Sequence, residues 1–366
     1  MKNDMNQPGE ISEADTGETV HNFAVDKLEA FAARILEATG VAIEEAGIVA
    51  DELIKADLAG HASHGVMRLQ QYVEFVEKGQ IKPGVPLRLI AEHTGLAVYN
   101  GDFGFGQQIV RQLLEIAMPR ARDIGTFTIF CGHCNHIGRL ASYTIQAARQ
   151  GFLTMMACNV TGAARVVPHG AREARLGTNP ICIAAPYRTD VIVIDTTTSA
   201  ISEGKVRIAS QNNRPVPPGR LLDQDGRPTT DPRVLYDDPL GGILPLGGDV
   251  AFKGSGLAVM IDVVGGILSG SGFGRSDVAT GTNGVWLYMV DLTKVMTTDT
   301  YDAAIEAYVH HLKSARPAAG VDEVLLPGEI ERNLTARRRV EGIPIPDGTW
   351  RQLVQLAKRL NVSLPD

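Results

Sequence analysis

Hydrophobic positions in the first part of the chain repeat with the spacing of helices. Residues 23–40 carry apolar side chains three and four positions apart, and Gly40 is typical of a helix end. Residues 41–60 repeat this pattern and also end at a glycine. A third helix is predicted for residues 64–78. The pattern therefore predicts a helical N-terminal region.

Further along, short β-branched and apolar runs replace the helical spacing and predict buried strands. These runs lie at residues 126–131, 152–160, 181–186, 191–198 and 285–292, with a strand pair at 87–99. Helices are predicted at 107–122, 138–150, 254–270 (buried, despite its glycines) and 349–362. Residues 194–205 and the proline-rich stretch 209–251 are predicted as loops. The chain is therefore predicted to be an α/β protein.

A Rossmann domain would show the motif GxGxxG after an early strand, where its glycines let the backbone approach a dinucleotide pyrophosphate. The sequence lacks this motif, because GDFGFG and GSGFGR have a different spacing. A nicotinamide cofactor would therefore require a dinucleotide-binding domain of another fold.

Length and charge narrow the class of protein. A chain of 366 residues suggests two or three packed subdomains. The net charge of −7 argues against a nucleic-acid or anionic-membrane partner. Residues 1–21 are acidic and polar, which predicts a disordered tail and not a signal peptide. The four cysteines are too few for a disulfide framework, so a cytoplasmic location is expected.

The segment HASHGVMRLQQY, residues 61–72, carries candidate chemistry. If a helix begins near Ser63, then His64, Arg68 and Tyr72 fall on one face. An imidazole can carry a proton, and a guanidinium can donate two hydrogen bonds to one carboxylate. This face therefore has the groups needed to bind a small carboxylic acid. The alternative is that Ser63 only caps a helix and its neighbours are surface residues.

The segment CGHCNHIG, residues 131–138, allows three interpretations. Cys131 and Cys134 have the spacing of a thioredoxin-like redox pair, although nothing else resembles that domain. With His133 and His136 they could bind zinc, although four ligands within six residues cannot easily surround a tetrahedral ion. The third interpretation is that His136 alone is functional, and it is the favoured one.

Two further positions are candidates for ligand binding. Asp195 at a predicted strand end could orient a histidine or accept hydrogen bonds from a ligand, although a turn or cap role is commoner. Lys253 and Gly254 at a predicted helix start could hold a phosphate.

Taken together, these segments resemble the malate/L-lactate dehydrogenase family of the second type, which is unrelated to the Rossmann lactate and malate dehydrogenases. The family includes ureidoglycolate, sulfolactate and hydroxycarboxylate dehydrogenases and cyclic-imine reductases. The resemblance runs from residue 22 to the C-terminus. It rests on ADLAGHASHGVMRLQQYVEFVEKGQIKPG, NHIGRLASYTIQAARQG, PHGAREARLGTNPICIAAP, DTTTSAISEGK, PPGRLLDQDGRPTTDP and FKGSGLAVMIDVVGGILSGSGFG.

The resemblance implies a homodimeric oxidoreductase that uses NAD or NADP. It implies a helical domain for substrate and dimer contacts, formed by residues 22–125 and 320–366. Residues 126–319 would form a non-Rossmann dinucleotide-binding domain, with the active site between the two domains.

By motif, the resemblance implies proton transfer by His64 or His136, a carboxylate grip by Arg68 and an acidic Asp195 near the nicotinamide, with Ser63 in the same catalytic motif. Substrate contacts are expected from Arg68, Tyr72, Thr178 and Asn179. Cofactor contacts are expected from Asn159, Val160, Asp195, Thr196, Thr197, Lys253, Gly254, Ser255, Gly328 and Glu329. No metal is implied. The chain departs from the family pattern at His169, Ala171, Glu203 and Ser255, which bear on cofactor preference and substrate size.

The predicted reaction is hydride transfer between NAD(P) and a small 2-hydroxy acid or 2-oxo acid. Arg68 would hold the carboxylate through two hydrogen bonds, and a neutral histidine, with His64 favoured over His136, would move the hydroxyl proton. Asp195 would favour the imidazolium. A reductase of cyclic imino acids and a CxxC thiol redox protein are the alternatives.

Overall fold

The computed structural model describes residues 19–162, 164–275 and 282–365. Its α-helices are α1 (Val25–Glu37), α2 (Ile43–Leu58), α3 (Leu69–Glu77), α4 (Gly106–Ile124), α5 (Leu140–Ala148), α6 (Glu203–Gln211), α7 (Phe252–Ile261), α8 (Thr298–Lys313), α9 (Glu329–Glu341) and α10 (Asp347–Leu360). Its strands are β1 (Val20–Phe23), β2 (Arg88–His93), β3 (Leu96–Asn100), β4 (Thr126–Cys134), β5 (Phe152–Val160), β6 (Ile181–Tyr187), β7 (Asp190–Thr196), β8 (Leu221–Leu222), β9 (Pro228–Thr229), β10 (Gly242–Ile243), β11 (Asn283–Asp291) and β12 (Ile343–Pro346).

Seven strands form one sheet in the order β2-β3-β4-β11-β5-β6-β7. Strands β3 and β4 pair in parallel, whereas the other neighbours pair antiparallel. A Rossmann domain is built on a parallel sheet with crossover helices, so this sheet is of another kind. The predicted α/β class is confirmed. The runs predicted as buried strands are also confirmed, on β4, β5, β6, β7 and β11.

The sheet packs against α4 and α5 around one hydrophobic core. Strand β4 buries every second residue at its start, including Phe127 and Ile129, as the two-residue period of a strand requires. Tyr143 of α5 is fully buried on the same core. These contacts hold the segment between β4 and α5, which carries His136, against the end of the sheet.

A second core joins α1, α2, α3 and α10. Phe31, Leu53, Tyr72 and Leu353 are each at most 1% exposed in it. Strand β1 pairs with β12 and ties the start of the described chain to its C-terminal part. The predicted disordered tail is therefore wrong for residues 20–21, because Val20 pairs with Pro346. Residues 1–18 of that tail lie outside the described residues.

Helix α6 is absent from the sequence prediction, which treated its first residues as part of a loop. It forms because Val206 and Ala209 pack into a third core with Val166 and Leu235. Beyond it, the predicted long loop contains three short strands in the order β10-β8-β9. Both differences arise from contacts between segments distant in sequence.

The predicted buried helix at 254–270 differs from the observed structure. Helix α7 is followed by a π-helical turn over Asp262–Ile267, and one side of both is exposed in the single chain. Of the exposed residues on this side, Met260 and Ile267 each have 54% of their surface accessible to solvent. Across the described ranges, no helix has the length and hydropathy needed to span a membrane.

The division into a helical domain and a cofactor domain remains a prediction. One observation bears on its boundary, since residues 88–124 were placed on the helical side. Strands β2 and β3 belong to the seven-stranded sheet, and α4 packs into the core of that sheet. Three hydrophobic cores, rather than two, are present among the described residues.

Candidate active site

The catalytic candidates near residue 64 lie on short turns rather than on one helix. Residues 62–68 form two 3-10 turns separated by Gly65, and α3 begins only at Leu69. A Cβ atom at Gly65 would lie 1.8 Å from Oδ1 of the buried Asp57, so no side chain fits there. The same carboxylate accepts a hydrogen bond from Val66 N–H at 2.8 Å. The predicted helix is therefore wrong over its first turn, and Asp57 is the physical cause.

The turns nevertheless bring three predicted residues together in a chain of hydrogen bonds. Nδ1 of His64 lies 3.0 Å from Nε2 of His136, and the two ring planes are nearly parallel, at an interplanar angle of 4°. Nδ1 of His136 lies 2.6 Å from the hydroxyl of Tyr72. That hydroxyl accepts a hydrogen bond from Nε2 of Gln107 at 2.7 Å. Two histidines predicted as alternatives are therefore direct neighbours.

The donors of this chain can be assigned one after another from Gln107. Its amide nitrogen donates to Tyr72, so the single hydroxyl proton of Tyr72 is free to be donated to Nδ1 of His136. A neutral His136 then carries its proton on Nε2 and donates it to Nδ1 of His64. His64 is left with its proton on Nε2. That atom has no protein partner among the described residues, so it is the end of the chain that a substrate can reach.

Burial and positive charge keep both histidines neutral at ordinary pH. Burial, with the charge of Arg68, lowers the pKa of His64 to about 3. Burial also lowers the pKa of His136 well below its usual value, with smaller effects from Arg68, His64 and Arg207. Burial raises the pKa of Tyr72 to about 12, so its phenol keeps its proton. The tautomers assigned above are consistent with these protonation states.

Arg68 is held by the same turns. Its Nε donates to the carbonyl of Ser63 at 2.6 Å and its Nη1 donates to Oε1 of Gln71 at 2.7 Å. Ser63 thus contributes its carbonyl, and its side chain forms no cap. Nη2 of Arg68 has no hydrogen-bond partner in the described parts of the chain. The guanidinium therefore keeps the N–H groups of Nη2 and the second N–H of Nη1 as donors for an anion.

The loop that carries His136 is anchored to the ends of two strands. Ile137 N–H donates to Oδ1 of Asn283 at 3.1 Å, and Nδ2 of Asn283 donates to the carbonyl of Asn159 at 2.8 Å. Ala141 N–H donates to Oδ2 of Asp195 at 2.8 Å. Predicted cofactor residues on β5 and β7 are thus bonded directly, or through one side chain, to the histidine loop.

Asp195 is hydrogen-bonded to the start of α5 and not to a histidine. Its observed partner is the backbone N–H of Ala141, which suits a carboxylate at a helix N-terminus. The Nδ1 and Nε2 atoms of His136 are both taken up by Tyr72 and His64. The expected contact between Asp195 and an imidazole is therefore not observed.

Several predicted ligand-binding side chains are bonded to protein groups instead. Asn159 donates through Nδ2 to Asp262 and to the Gly272 carbonyl, both at 3.0 Å. Asn179 donates to the Ala258 carbonyl at 2.9 Å, and Thr178 offers its carbonyl to Thr198. Glu329 is paired with Lys313 at 2.7 Å and with Arg332 at 2.9 Å. These groups stabilise the fold here, and their ligand contacts remain predictions.

The other predicted cofactor residues lie around the same strand ends or on α7. Thr196 ends β7 and Thr197 follows it, and both residues are half-buried, while Val160 ends β5. Lys253 is exposed on α7 beside Gly254 and Ser255, and Oγ of Ser255 accepts a hydrogen bond from His169 N–H. Gly254 has no room for a Cβ atom, which would lie 2.2 Å from the Leu246 carbonyl oxygen. Gly328 packs on Val193 of β7.

The CxxC segment belongs to the core of the sheet. Cys131 and Cys134 are fully buried with their sulfur atoms 3.6 Å apart, and Cys158 and Cys182 join the same core. Bonding to Cys131 and burial raise the pKa of Cys134 well above its usual value, which opposes thiolate chemistry. The described residues contain no group of three or more His, Cys, Asp and Glu side chains placed to hold a metal.

Sequence reasoning missed Gln107 and Arg207. Gln107 is 1% exposed at the start of α4, on the same face as Val110 and Leu114, and this polar residue on an apolar face was the available signal. Arg207 lies on α6, which was not predicted, so no signal placed it near the site.

Comparison with known proteins identifies the family of this chain. A sequence model of the malate/L-lactate dehydrogenase family matches residues 23–354. The L-lactate dehydrogenase of Cupriavidus necator is 34% identical over 337 residues, which cover 90% of this chain and 95% of that protein. Hydroxycarboxylate dehydrogenase B of Escherichia coli K12 is 31% identical over 350 residues, which cover 94% of this chain and 96% of that protein.

Solved structures show the same architecture. Malate dehydrogenase from Pyrococcus horikoshii has a TM-score of 0.86 at 28% identity, covering 98% of this chain and 99% of that chain. The Δ1-piperideine-2-carboxylate reductase of Pseudomonas syringae has a TM-score of 0.78 at 27% identity, covering 92% of this chain and 100% of that chain. Because the family model and the relatives span nearly the whole described fold, this chain belongs to the malate/L-lactate dehydrogenase family.

Proposed function

We propose that this protein catalyses hydride transfer between a nicotinamide cofactor and a small 2-hydroxy acid or 2-oxo acid. The observation that carries the proposal is the hydrogen-bonded pair His64–His136 beside Arg68, at the end of a chain of proton donors. An anion site and a neutral imidazole within one segment are what the oxidation of a 2-hydroxy acid requires. Relatives named as L-lactate, malate and hydroxycarboxylate dehydrogenases support the substrate class.

His64 is proposed as the residue that exchanges a proton with the substrate oxygen. Its Nε2 is the unpartnered end of the chain, whereas both nitrogens of His136 are bonded within the protein. In reduction, His64 of the substrate complex first takes up a proton from solvent. Nε2 of this imidazolium donates a proton to the carbonyl oxygen as hydride arrives at carbon, which returns His64 to its neutral state. Nδ1 of His64 stays hydrogen-bonded to Nε2 of His136, which is itself supported by Tyr72. Gln107 and Tyr72 are positioning residues in this scheme.

Substrate binding itself is proposed to adjust the basicity of the histidines. The positive charge of Arg68 is, after burial, the next cause of the lowered pKa of both His64 and His136. A substrate carboxylate on Arg68 offsets that charge, so the imidazoles gain proton affinity when substrate is bound. Proton transfer is thereby favoured in the complex rather than in the free enzyme.

The residues around β5 and β7, together with Lys253, offer hydrogen-bond donors of the kinds that bind a nicotinamide dinucleotide. Threonine hydroxyls at Thr196 and Thr197 suit amide and ribose groups, and the exposed ammonium of Lys253 suits a phosphate. The bound cofactor supplies the hydride acceptor or donor. Asp195 and Asn283 contribute by fixing the histidine loop beside these strand ends. The screen described below compares NADH with NADPH.

A second candidate reaction is the reduction of a cyclic imino acid. The structural similarity to a Δ1-piperideine-2-carboxylate reductase favours it, at a TM-score of 0.78. Such a substrate carries a carboxylate for Arg68 and a C=N bond in place of C=O, so the same residues would serve. The two reactions differ only in the atom that receives the proton.

A homodimer is proposed from the apolar surface left by α7 and the π-helical turn. Six large side chains there are at least 40% exposed, which we call the α7 face. They are Phe252, Leu257, Val259, Met260, Ile267 and Leu268. An apolar patch of this kind marks a protein interface. The proposed occupant is a second copy of the chain.

The deciding experiment is a spectrophotometric screen of NADH and NADPH oxidation with 2-oxo acids and with cyclic imines. We expect turnover of at least one 2-oxo acid. His64→Gln should reduce kcat by about 100-fold or more, the usual effect of losing a general acid. His136→Gln should be milder, since it removes the support of His64. Full turnover in both variants would contradict the acid–base scheme, and turnover of imines alone would favour the second candidate.

A further inference from the structure

A polar cavity lies along helix α6, and the first turn of this helix packs on the catalytic turns. Its second residue, Gly204, contacts Ser63 with room for no side chain. A Cβ atom at Gly204 would lie 2.5 Å from Cβ of Ser63. The cavity has a volume of about 420 Å³ and is lined by Arg165, Glu203, Arg207, Ser210, Gln211 and Tyr236.

Two of these lining residues form a fixed ion pair one helical turn apart. Nη2 of Arg207 donates to both carboxylate oxygens of Glu203 at 2.9 Å, and its Nε donates to Oε1 at 3.2 Å. The hydroxyl of Tyr236 donates to the same Oε1 at 3.0 Å. Glu203 therefore neutralises Arg207 and is held in that position by two residues.

The charges of the pair affect the pKa values of the proposed catalytic groups. Burial and then the charge of Arg207 lower the pKa of Arg68, and Glu203 acts in the opposite direction. Arg207 also contributes to the lowered pKa of His136, after burial, Arg68 and His64. Geometry gives the same neighbourhood, because Gly204, next to Glu203, packs on Ser63, and the Ser63 carbonyl accepts the Nε hydrogen bond of Arg68. A group that is held by Arg68 and extends toward α6 therefore approaches the pair.

We propose that the Glu203–Arg207 pair selects the substrate by the group at its far end, opposite the carboxylate on Arg68. The pair favours 2-oxo acids whose side chain is uncharged and hydrogen-bonding, and it disfavours a second carboxylate or a sulfonate. The inference rests on the proposed reaction and specifies its substrate class. It names Glu203 as the residue that sets the preference.

The preference for an uncharged distal group follows from the hydrogen-bond donors that are still unpaired in the cavity and from the charge of Glu203. Two of the three nitrogens of the Arg207 guanidinium are already bonded to Glu203, and a distal anion would lie beside the Glu203 carboxylate and be repelled. Ser210 and Gln211 offer a hydroxyl and an amide on the same wall, which pair with hydroxyl groups. An uncharged polar side chain is therefore accommodated at lower cost than an anion.

The test compares kcat/KM for pyruvate, hydroxypyruvate and oxaloacetate in the wild type and in Glu203→Gln. The amide keeps the size of the side chain and removes its charge, which leaves Arg207 uncompensated. We expect the wild type to prefer hydroxypyruvate to pyruvate, and to prefer both to oxaloacetate. In the variant the ratio of kcat/KM for oxaloacetate to kcat/KM for pyruvate should rise at least 10-fold, through a lower KM for oxaloacetate.

The double variant Glu203→Gln, Arg207→Gln is the matched control and should lose this gain, because the uncovered cation is removed. If Glu203→Gln does not fold, Tyr236→Phe releases one bond to Glu203 and should shift the ratio in the same direction by a smaller factor. A wild-type preference for oxaloacetate, or a ratio unchanged within twofold in the folded variants, would overturn the inference alone. Absence of any 2-oxo acid turnover in the wild type would overturn the proposed reaction as well.

Discussion

At the scale of single residues, the site depends on which nitrogen and oxygen atoms are already bonded within the protein. His136 and Arg68 are both largely committed to protein partners, and the uncommitted atoms are Nε2 of His64 and Nη2 of Arg68 among the described residues. Those two atoms define where a 2-oxo acid can be protonated and held. The roles of these residues remain predictions that substitutions can test.

Arg68→Ala should lower kcat/KM for a 2-oxo acid by roughly 100-fold, or about 2.7 kcal/mol in transition-state free energy. The reason is the loss of charge-assisted hydrogen bonds, each worth about 1.5–3 kcal/mol. Arg68→Lys is the matched control, since it keeps the charge but loses the planar fork, and should retain part of the activity. Steady-state kinetics with pyruvate measure both. Unchanged kinetics in Arg68→Ala would remove Arg68 from the site.

The lowered pKa of His64 predicts a pH dependence of stability. An unfolded histidine binds a proton below pH ~6.5, whereas folded His64, with its pKa of about 3, does not. The unfolded state therefore binds more protons between these values, and the free energy of unfolding falls as pH falls through that window. His64→Gln should reduce the slope by up to roughly 1.4 kcal/mol per pH unit between pH 4 and 6.

Denaturant unfolding at several pH values measures this slope. The exposed His93 lies outside the hydrogen-bonded chain, so His93→Gln is the matched control for the change of side chain. Equal slopes for His64→Gln and the wild type would mean that folded His64 binds a proton between pH 4 and 6 as readily as the unfolded residue does. The neutral state assigned to His64 would then be wrong in that range.

At the scale of elements, α7 and its π-helical turn are fixed to the sheet through glycines. A Cβ atom at Gly265 would lie 3.1 Å from backbone atoms of Asn159 on β5 and Gly284 on β11, which is a tight contact. At Gly266 the space is smaller still. A Cβ atom at Gly266 would lie 2.1 Å from the Gly272 carbonyl oxygen and 2.3 Å from Nδ2 of Asn159. This packing explains why a glycine-rich sequence forms a helix here.

Gly266→Ala should therefore destabilise the fold by about 2–3 kcal/mol, the usual cost of an overpacked site. Gly47→Ala on α2 is the matched control, because nothing lies within 4 Å of its added Cβ atom. There alanine should stabilise the helix by about 0.5–1 kcal/mol. Thermal melting of both variants against the wild type measures the difference. A Gly266→Ala protein as stable as Gly47→Ala would contradict the packing described.

At the scale of the whole molecule, the α7 face predicts self-association. Met260→Glu places a charge in the apolar surface, so we expect the variant to sediment as a monomer where the wild type sediments as a dimer. Leu89→Glu is the control, since Leu89 is 47% exposed on β2 at the edge of the sheet. Sedimentation velocity at micromolar concentration measures both. A monomeric wild type would remove the second copy as the occupant of this face.

Much of the fold followed from local pattern. The apolar runs predicted five strands of the main sheet, because buried strands are short and rich in β-branched residues. Spacing also predicted α1, α2 and α10, whose apolar faces repeat every three to four residues. The short strands between β7 and α7, and helix α6, were missed because their stability comes from the third core rather than from their own pattern.

The sequence by itself determined the residue types of the site, the absence of a Rossmann fingerprint and the family resemblance, since these are properties of order and spacing along the chain. Tertiary structure decided which of those residues touch. It replaced a helix at residue 64 by turns around Asp57, paired His64 with His136 across 72 positions and gave Asp195 to the start of α5. The physical reason is that a hydrogen bond depends on distance in space, which local spacing does not specify.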